Sequence, residues 1–118
     1  MGYIKHDTIV VTAWADIAAI HGKAVELLGD IGGANPDRGI NLVSPIVGPF
    51  VNGQASFFVA PDGSKEGWDT SDNAEAARRD FLDWFQRDCR TYAQALVARF
   101  GGDDDQTTVS VLRSAAGE

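Results

Sequence analysis

The Asn52-Gly53 pair, preceded by prolines at 45 and 49, constrains this chain more than any other feature. A two-residue type I′ turn needs positive φ at both central positions, and Asn-Gly adopts that conformation at the least cost. Residues 41–50 and 55–60 are thereby predicted to be the two arms of one hairpin. Each proline removes a ladder donor, so the first arm, NLVSPIVGPF, belongs at a sheet edge. The second arm, ASFFVA, sets Phe57 and Val59 on one side and Ser56 and Phe58 on the other.

The hydrophobic period places the remaining elements around this hairpin. Residues 7–14 are rich in β-branched residues and apolar on both faces, the pattern of a central strand. From Ala15 the period becomes helical, with Ile17, Ile20, Ala24, Leu27 and Leu28 on one stripe, Lys23 and Glu26 outside it, and Gly29 as a left-handed stop. Residues 30–40 hold too many breakers for either element and are predicted to be a mobile loop. After Pro61-Asp62-Gly63, a polar loop carries Lys65, Glu66 and Trp68. Asp72 and Glu75 then have the spacing of a capping box, which predicts a helix from Asp72 to Cys89 or Arg90. Its buried stripe is Ala77, Phe81, Trp84, Phe85 and Cys89, with Arg78, Arg79, Asp83, Gln86 and Arg87 facing water. Residues 91–94 fit either a last helical turn or a connector. Strands are predicted at 95–100 and 107–114, joined by the acidic loop 101–106, with a frayed tail at 115–118.

The order is β-α-β-β-α-β-β in a single domain, 1–118. Two helices with one apolar stripe each must cover the same face of one antiparallel sheet, which predicts an α+β fold of ferredoxin-like character with five strands. The other face, with Val10, Trp14 and Phe58, stays uncovered and predicts a homo-oligomer built on it.

Ten basic against seventeen acidic side chains give a net charge of −7, which argues against a DNA or RNA polymer as partner and leaves room for a small anion in a local pocket. The single cysteine, Cys89, forms no internal disulfide and fits a reducing cytosol. The opening MGYIKHDTIVVTAW has too short an apolar run for a signal peptide or a membrane span, so a soluble intracellular protein is expected. His6 and His21 lack the spacing of a metal site, and no nucleophile motif or paired general base is present. Neither a cofactor nor catalysis is therefore expected.

The candidate binding residues are Arg99 and Arg113 in the terminal strands, Lys65, and the aromatics Trp68, Phe85 and Tyr92. An arginine in a strand either snorkels to the rim or faces a ligand, and guanidinium and ring planes together sandwich a nucleobase while the guanidinium forks onto phosphate. These groups are predicted to meet at one end of the sheet. Phe85 also sits on the buried helix stripe, so a core role competes with a binding role there.

The opening GYIKHDTIVVTAW, the middle SFFVAPDGSKEGWDTSD, the aromatic helix RRDFLDWF and the closing strand VSVLRS together resemble the phage Thoeris anti-defence sponges, along nearly the whole chain. The resemblance implies sequestration: a homo-oligomer, from a dimer up to a hexamer, traps the glycocyclic ADP-ribose signal of a bacterial TIR-domain enzyme in the host cytoplasm without cleaving it. Some members are credited with holding cyclic oligonucleotides at a separate site. In such sponges the base stacks on an aromatic and an arginine near the last strand, which carries over first to Arg113 and then to Phe85. Residues 91–96 depart from the family pattern, which bears on Tyr92.

Overall fold

The computed structural model describes residues 6–31, 40–63, 68–100 and 107–117. Its β-branched opening segment forms β1 (His6–Ala13), which pairs antiparallel on both sides, with β2 (Ala55–Val59) and β3 (Ala93–Phe100). β4 (Thr108–Arg113) pairs antiparallel with β3, giving the order β2-β1-β3-β4. The expected central strand is thus central.

The architecture is α+β, but among the described residues the sheet has four strands rather than five. Residues 41–50 form no regular strand; they run beside β2 through the isolated bridges Val43↔Val59 and Val47↔Ser56. Pro45 and Pro49 lack the N–H groups that would close a continuous ladder. Ser44 substitutes in part, its Oγ accepting the Phe58 N–H at 2.8 Å. The turn itself is as read: Asn52 and Gly53 have φ 59° and 76°, and the Gln54 N–H donates to the Val51 carbonyl at 3.2 Å.

Alternation decides the two faces of the sheet. Ile9, Val11 and Ala13 of β1, Ala55, Phe57 and Val59 of β2, and Ala93 and Ala95 of β3 are buried on one face. Against it pack α1 (Ile17–Leu28), through Ile20, Ala24 and Leu28, and α2 (Asp69–Arg87), through Ala74, Phe81 and Phe85. α1 ends without a left-handed residue: Gly29 has φ −80° and its N–H continues the helical bonding to the Val25 carbonyl at 2.9 Å. α2 starts four residues earlier than the capping-box spacing suggests, with Trp68 rather than Asp72 at the cap and both Asp69 and Asp72 in the first turn, where the helix dipole favours them. Asp72 is therefore not the cap. The helix ends at Arg87, short of Cys89, and residues 93 and 94 are already strand.

Two further features correct the sequence reading. Arg78, expected in water, is 7% exposed, and the tail is pinned rather than frayed through residue 117. The fully buried Ser114 donates from Oγ to the Thr91 carbonyl at 2.6 Å and accepts the Ala93 N–H at 3.1 Å, and the Ala116 N–H reaches the Cys89 carbonyl at 3.1 Å. The predicted loops at residues 32–39, 64–67 and 101–106 lie outside the described residues. Among the described residues no helix is long and apolar enough to cross a membrane.

Candidate functional site

The register of β3 and β4 places the two strand arginines. Arg113 pairs with Gln94, whereas Arg99 pairs with Thr108 and, across β1, with Asp7. Positions 94 and 99 differ by an odd number, so the two arginines project from opposite faces, and at strand rise they lie roughly 16 Å apart along β3. The structure does not bring Arg99 and Arg113 together within one chain.

Arg113 lies on the uncovered face, in the cross-strand row Ser56, Thr12, Gln94, Arg113. The next row outward holds Trp14 and Tyr92, which continue β1 and β3 and touch with ring centroids 5.5 Å apart at a 50° tilt. Both rings are open to solvent, Trp14 at 37% and Tyr92 at 50%. On the other side of the polar row lies an apolar one that crosses all four strands: Phe58, Val10, Leu96, Val111. Phe58, Leu96, Val109 and Val111 are exposed. Two aromatic rings, a guanidinium and three small polar side chains thus share one end of this face. Within it the Thr12 and Ser56 hydroxyls hydrogen-bond at 2.8 Å.

The remaining candidates are placed differently. Phe85 is fully buried and stacks on Phe81 at 6.2 Å, so the competing core reading holds and its ring has no face left for a ligand. Trp68, 55% exposed, caps α2 through its backbone carbonyl, which accepts the Asp72 N–H at 3.1 Å. Lys65 lies outside the described residues. Arg99 forks onto Asp7, Nε to Oδ1 at 2.7 Å and Nη2 to Oδ2 at 3.3 Å.

Arg99 and Asp7 also border an open cleft of about 420 Å³ between α2 and the β3–β4 ribbon, on the helix-covered face. Its floor is aliphatic, from Ile9, Leu82, Val97 and Leu112; Thr108 and Ser110 line the sheet wall, and Glu75, Arg78, Arg79, Asp83 and Gln86 the helix wall. The cleft exists because β4 is the outermost strand and Leu112 is its residue packed on the core, leaving Ser110 and Thr108 uncovered.

Trp14 is the ring that the sequence reading left out of the site, although it was assigned to the open face. Its signal was available: it continues the alternation of β1 past Ala13, on the face of Val10 and Thr12. His21 bridges elements instead of lining a site, its Nε2 donating to the Ser44 carbonyl at 2.9 Å while its ring meets Phe57 edge-on at 5.1 Å. Cys89 is buried with Sγ directed to the Thr91 carbonyl at 3.5 Å. Burial raises its pKa, partly offset by that bond and reinforced by Asp16, so the thiol stays protonated at neutral pH and is a poor nucleophile. Comparison with known protein families, with curated proteins and with solved structures gives no match.

Proposed function

We propose that this chain is a phage anti-defence protein that captures a cyclic ADP-ribose signal of the glycocyclic kind in the host cytoplasm and holds it intact. The observation that carries the reading is the exposed Trp14–Tyr92 pair on the same end of the same sheet face as Arg113. The rings offer a planar base a stacking surface, and the guanidinium offers a phosphate a fork. The resemblance to the Thoeris sponges supports the ligand class, and it points to the arginine near the last strand that stands here as Arg113. A second copy closing over the row Phe58, Val10, Leu96, Val111 would bury the open site and strengthen its charge-assisted bonds. The net charge of −7 opposes an anionic ligand, but charges farther than a Debye length, about 8 Å at physiological salt, are screened.

The test is to incubate the purified protein with glycocyclic ADP-ribose, remove free ligand, and heat-denature the complex. Intact ligand recovered in stoichiometric amount is the expected result. Absence of binding, or recovery of a cleaved product, overturns the reading.

A second reading is favoured by the same apolar row: an interaction module that inhibits a host protein through its open face. It predicts a stable host partner lost when Phe58 is made charged, with no bound nucleotide.

A further inference from the structure

The two edges of the sheet are finished differently. Beside β2 run residues 43–47, bridged to Val59 and Ser56, and Pro45 and Pro49 keep that segment from offering a ladder of its own. β4 forms the opposite edge, and its sequence, TVSVLR, carries none of the usual protection. It holds no proline and no lysine, its register with β3 runs unbroken from Arg99↔Thr108 to Gln94↔Arg113, and its single charge stands at the last position. Val109 and Val111 are 61% and 63% exposed. An apolar edge without bulge or proline is a template for another strand.

Backbone bonding fixes which groups are on offer. In an antiparallel pair alternate residues turn both N–H and C=O toward the partner, and the intervening ones turn both away. Ser114 follows the β3–β4 register by one position, and its N–H donates to the Ala93 carbonyl at 3.0 Å. Ser114 thus faces β3, and by alternation so do Leu112, Ser110 and Thr108. Val109, Val111 and Arg113 turn their N–H and carbonyl groups to the open edge, where no backbone bond reaches them from the described residues. The same residues have their side chains on the uncovered face.

A strand that docks here must match that pattern, and a second β4 does so. A two-fold axis through Val111 sets Val111 opposite its own copy and Val109 opposite Arg113 of the second copy, so each outward N–H of one strand meets an outward carbonyl of the other. An axis through Ser110 or Leu112 leaves Arg113 or Val109 beyond the end of the opposing strand. The register at Val111 also keeps like charges apart, because the one charge on β4 faces a valine that its aliphatic stem covers. The apolar row Phe58, Val10, Leu96, Val111 ends at this edge, and the axis continues it through Val111 into the same row of the second copy. β4 is thus self-complementary, as an isologous contact requires.

We propose that two copies of this chain pair antiparallel through β4 about a two-fold axis at Val111, making one continuous sheet. The contact is edge to edge and is separate from closure over the face. It requires no ligand and stands or falls apart from the sequestration reading.

Amide hydrogen exchange on the ¹⁵N-labelled full chain tests it. Exchange at Val109, Val111 and Arg113 should slow as the concentration rises from micromolar to millimolar, in step with dimer formation in sedimentation velocity. Face-to-face closure gives these N–H groups no carbonyl. Val111→Pro removes an N–H that β3 does not use, so this variant should keep its circular dichroism spectrum and sediment as a monomer. Val109→Glu should tighten the dimer about threefold or more through ion pairs with Arg113 of the other copy, and Val109→Arg should loosen it. A monomer throughout the range, an oligomer whose Val109, Val111 and Arg113 amides exchange as fast as at low concentration, or a dimer that persists in Val111→Pro overturns the proposal. Val109→Arg binding its copy more tightly than Val109→Glu overturns the register.

Discussion

Three side chains carry the residue-scale argument, and each makes a different demand. Arg113 is exposed at the end of an edge strand and supports nothing in the core, so Arg113→Ala should abolish binding of the cyclic ADP-ribose signal while the stability of the free protein changes by less than about 0.5 kcal/mol. Isothermal titration and thermal melting on the same preparation check both halves. Arg78 behaves oppositely. Removing it breaks the buried pair with Asp62, and Arg78→Met should cost about 3–5 kcal/mol in urea unfolding, with a double-mutant cycle against Asp62→Asn measuring the coupling between the two side chains. Cys89 contributes a pH dependence. Its pKa is raised in the folded state, so the folded protein holds this proton more tightly than the unfolded chain does. The associated stability is present below roughly pH 8.5, the unfolded thiol value, and is lost as pH rises through the higher folded value. The urea midpoint of the unsubstituted protein should therefore fall more steeply between neutral and alkaline pH than that of Cys89→Ala.

At the scale of elements, the turn at Asn52-Gly53 shows how a local rule and a tertiary contact act on one position. Gly53 has φ 76°, and a Cβ built there would stand 2.8 Å from the Trp14 carbonyl oxygen. Gly53→Ala should cost about 1–3 kcal/mol from backbone conformation, and the clash should also displace Trp14. A shift in tryptophan emission alongside the lost stability checks this. The positive φ was legible from the dipeptide. The approach of Trp14 was not, because it depends on β1 and β2 being neighbours. The first arm of the hairpin is instructive in another way. The two prolines correctly denied residues 41–50 a place inside the sheet, yet their effect went further than confinement to an edge. With donors missing at two positions, only the bridges at Val43 and Val47 remain on β2.

At the scale of the whole molecule, one sheet face is covered by both helices and the other carries Phe58, Val10, Leu96 and Val111 across its width. If a second copy closes this face, as the proposed function holds, Phe58→Lys should place two ammonium groups in that interface and break it, without unfolding the protein or opening the β4 edge pair. Sedimentation velocity on both proteins gives the answer; an unsubstituted chain that sediments as a monomer at high concentration removes the oligomer from the reading. The β4 edge lies beside this face rather than over it, so pairing of two copies there lengthens the apolar row and leaves the rings of Trp14 and Tyr92 open.

What the amino-acid order determined alone is whatever depends on near neighbours. The strand period of residues 7–14, the helical stripes, the Asn-Gly turn and the exclusion of proline from a ladder are all set within a few residues by sterics and backbone hydrogen bonding. Tertiary structure decided what depends on pairing across the chain. The β3–β4 register sent Arg99 and Arg113 to opposite faces, because a shift of one residue in a strand reverses the side on which a side chain emerges. The packing of α2 on the sheet closed over Phe85 and turned Arg78 from a solvated cation into a buried partner of Asp62. No local pattern encodes either outcome, since each rests on which distant segment arrives to exclude the water.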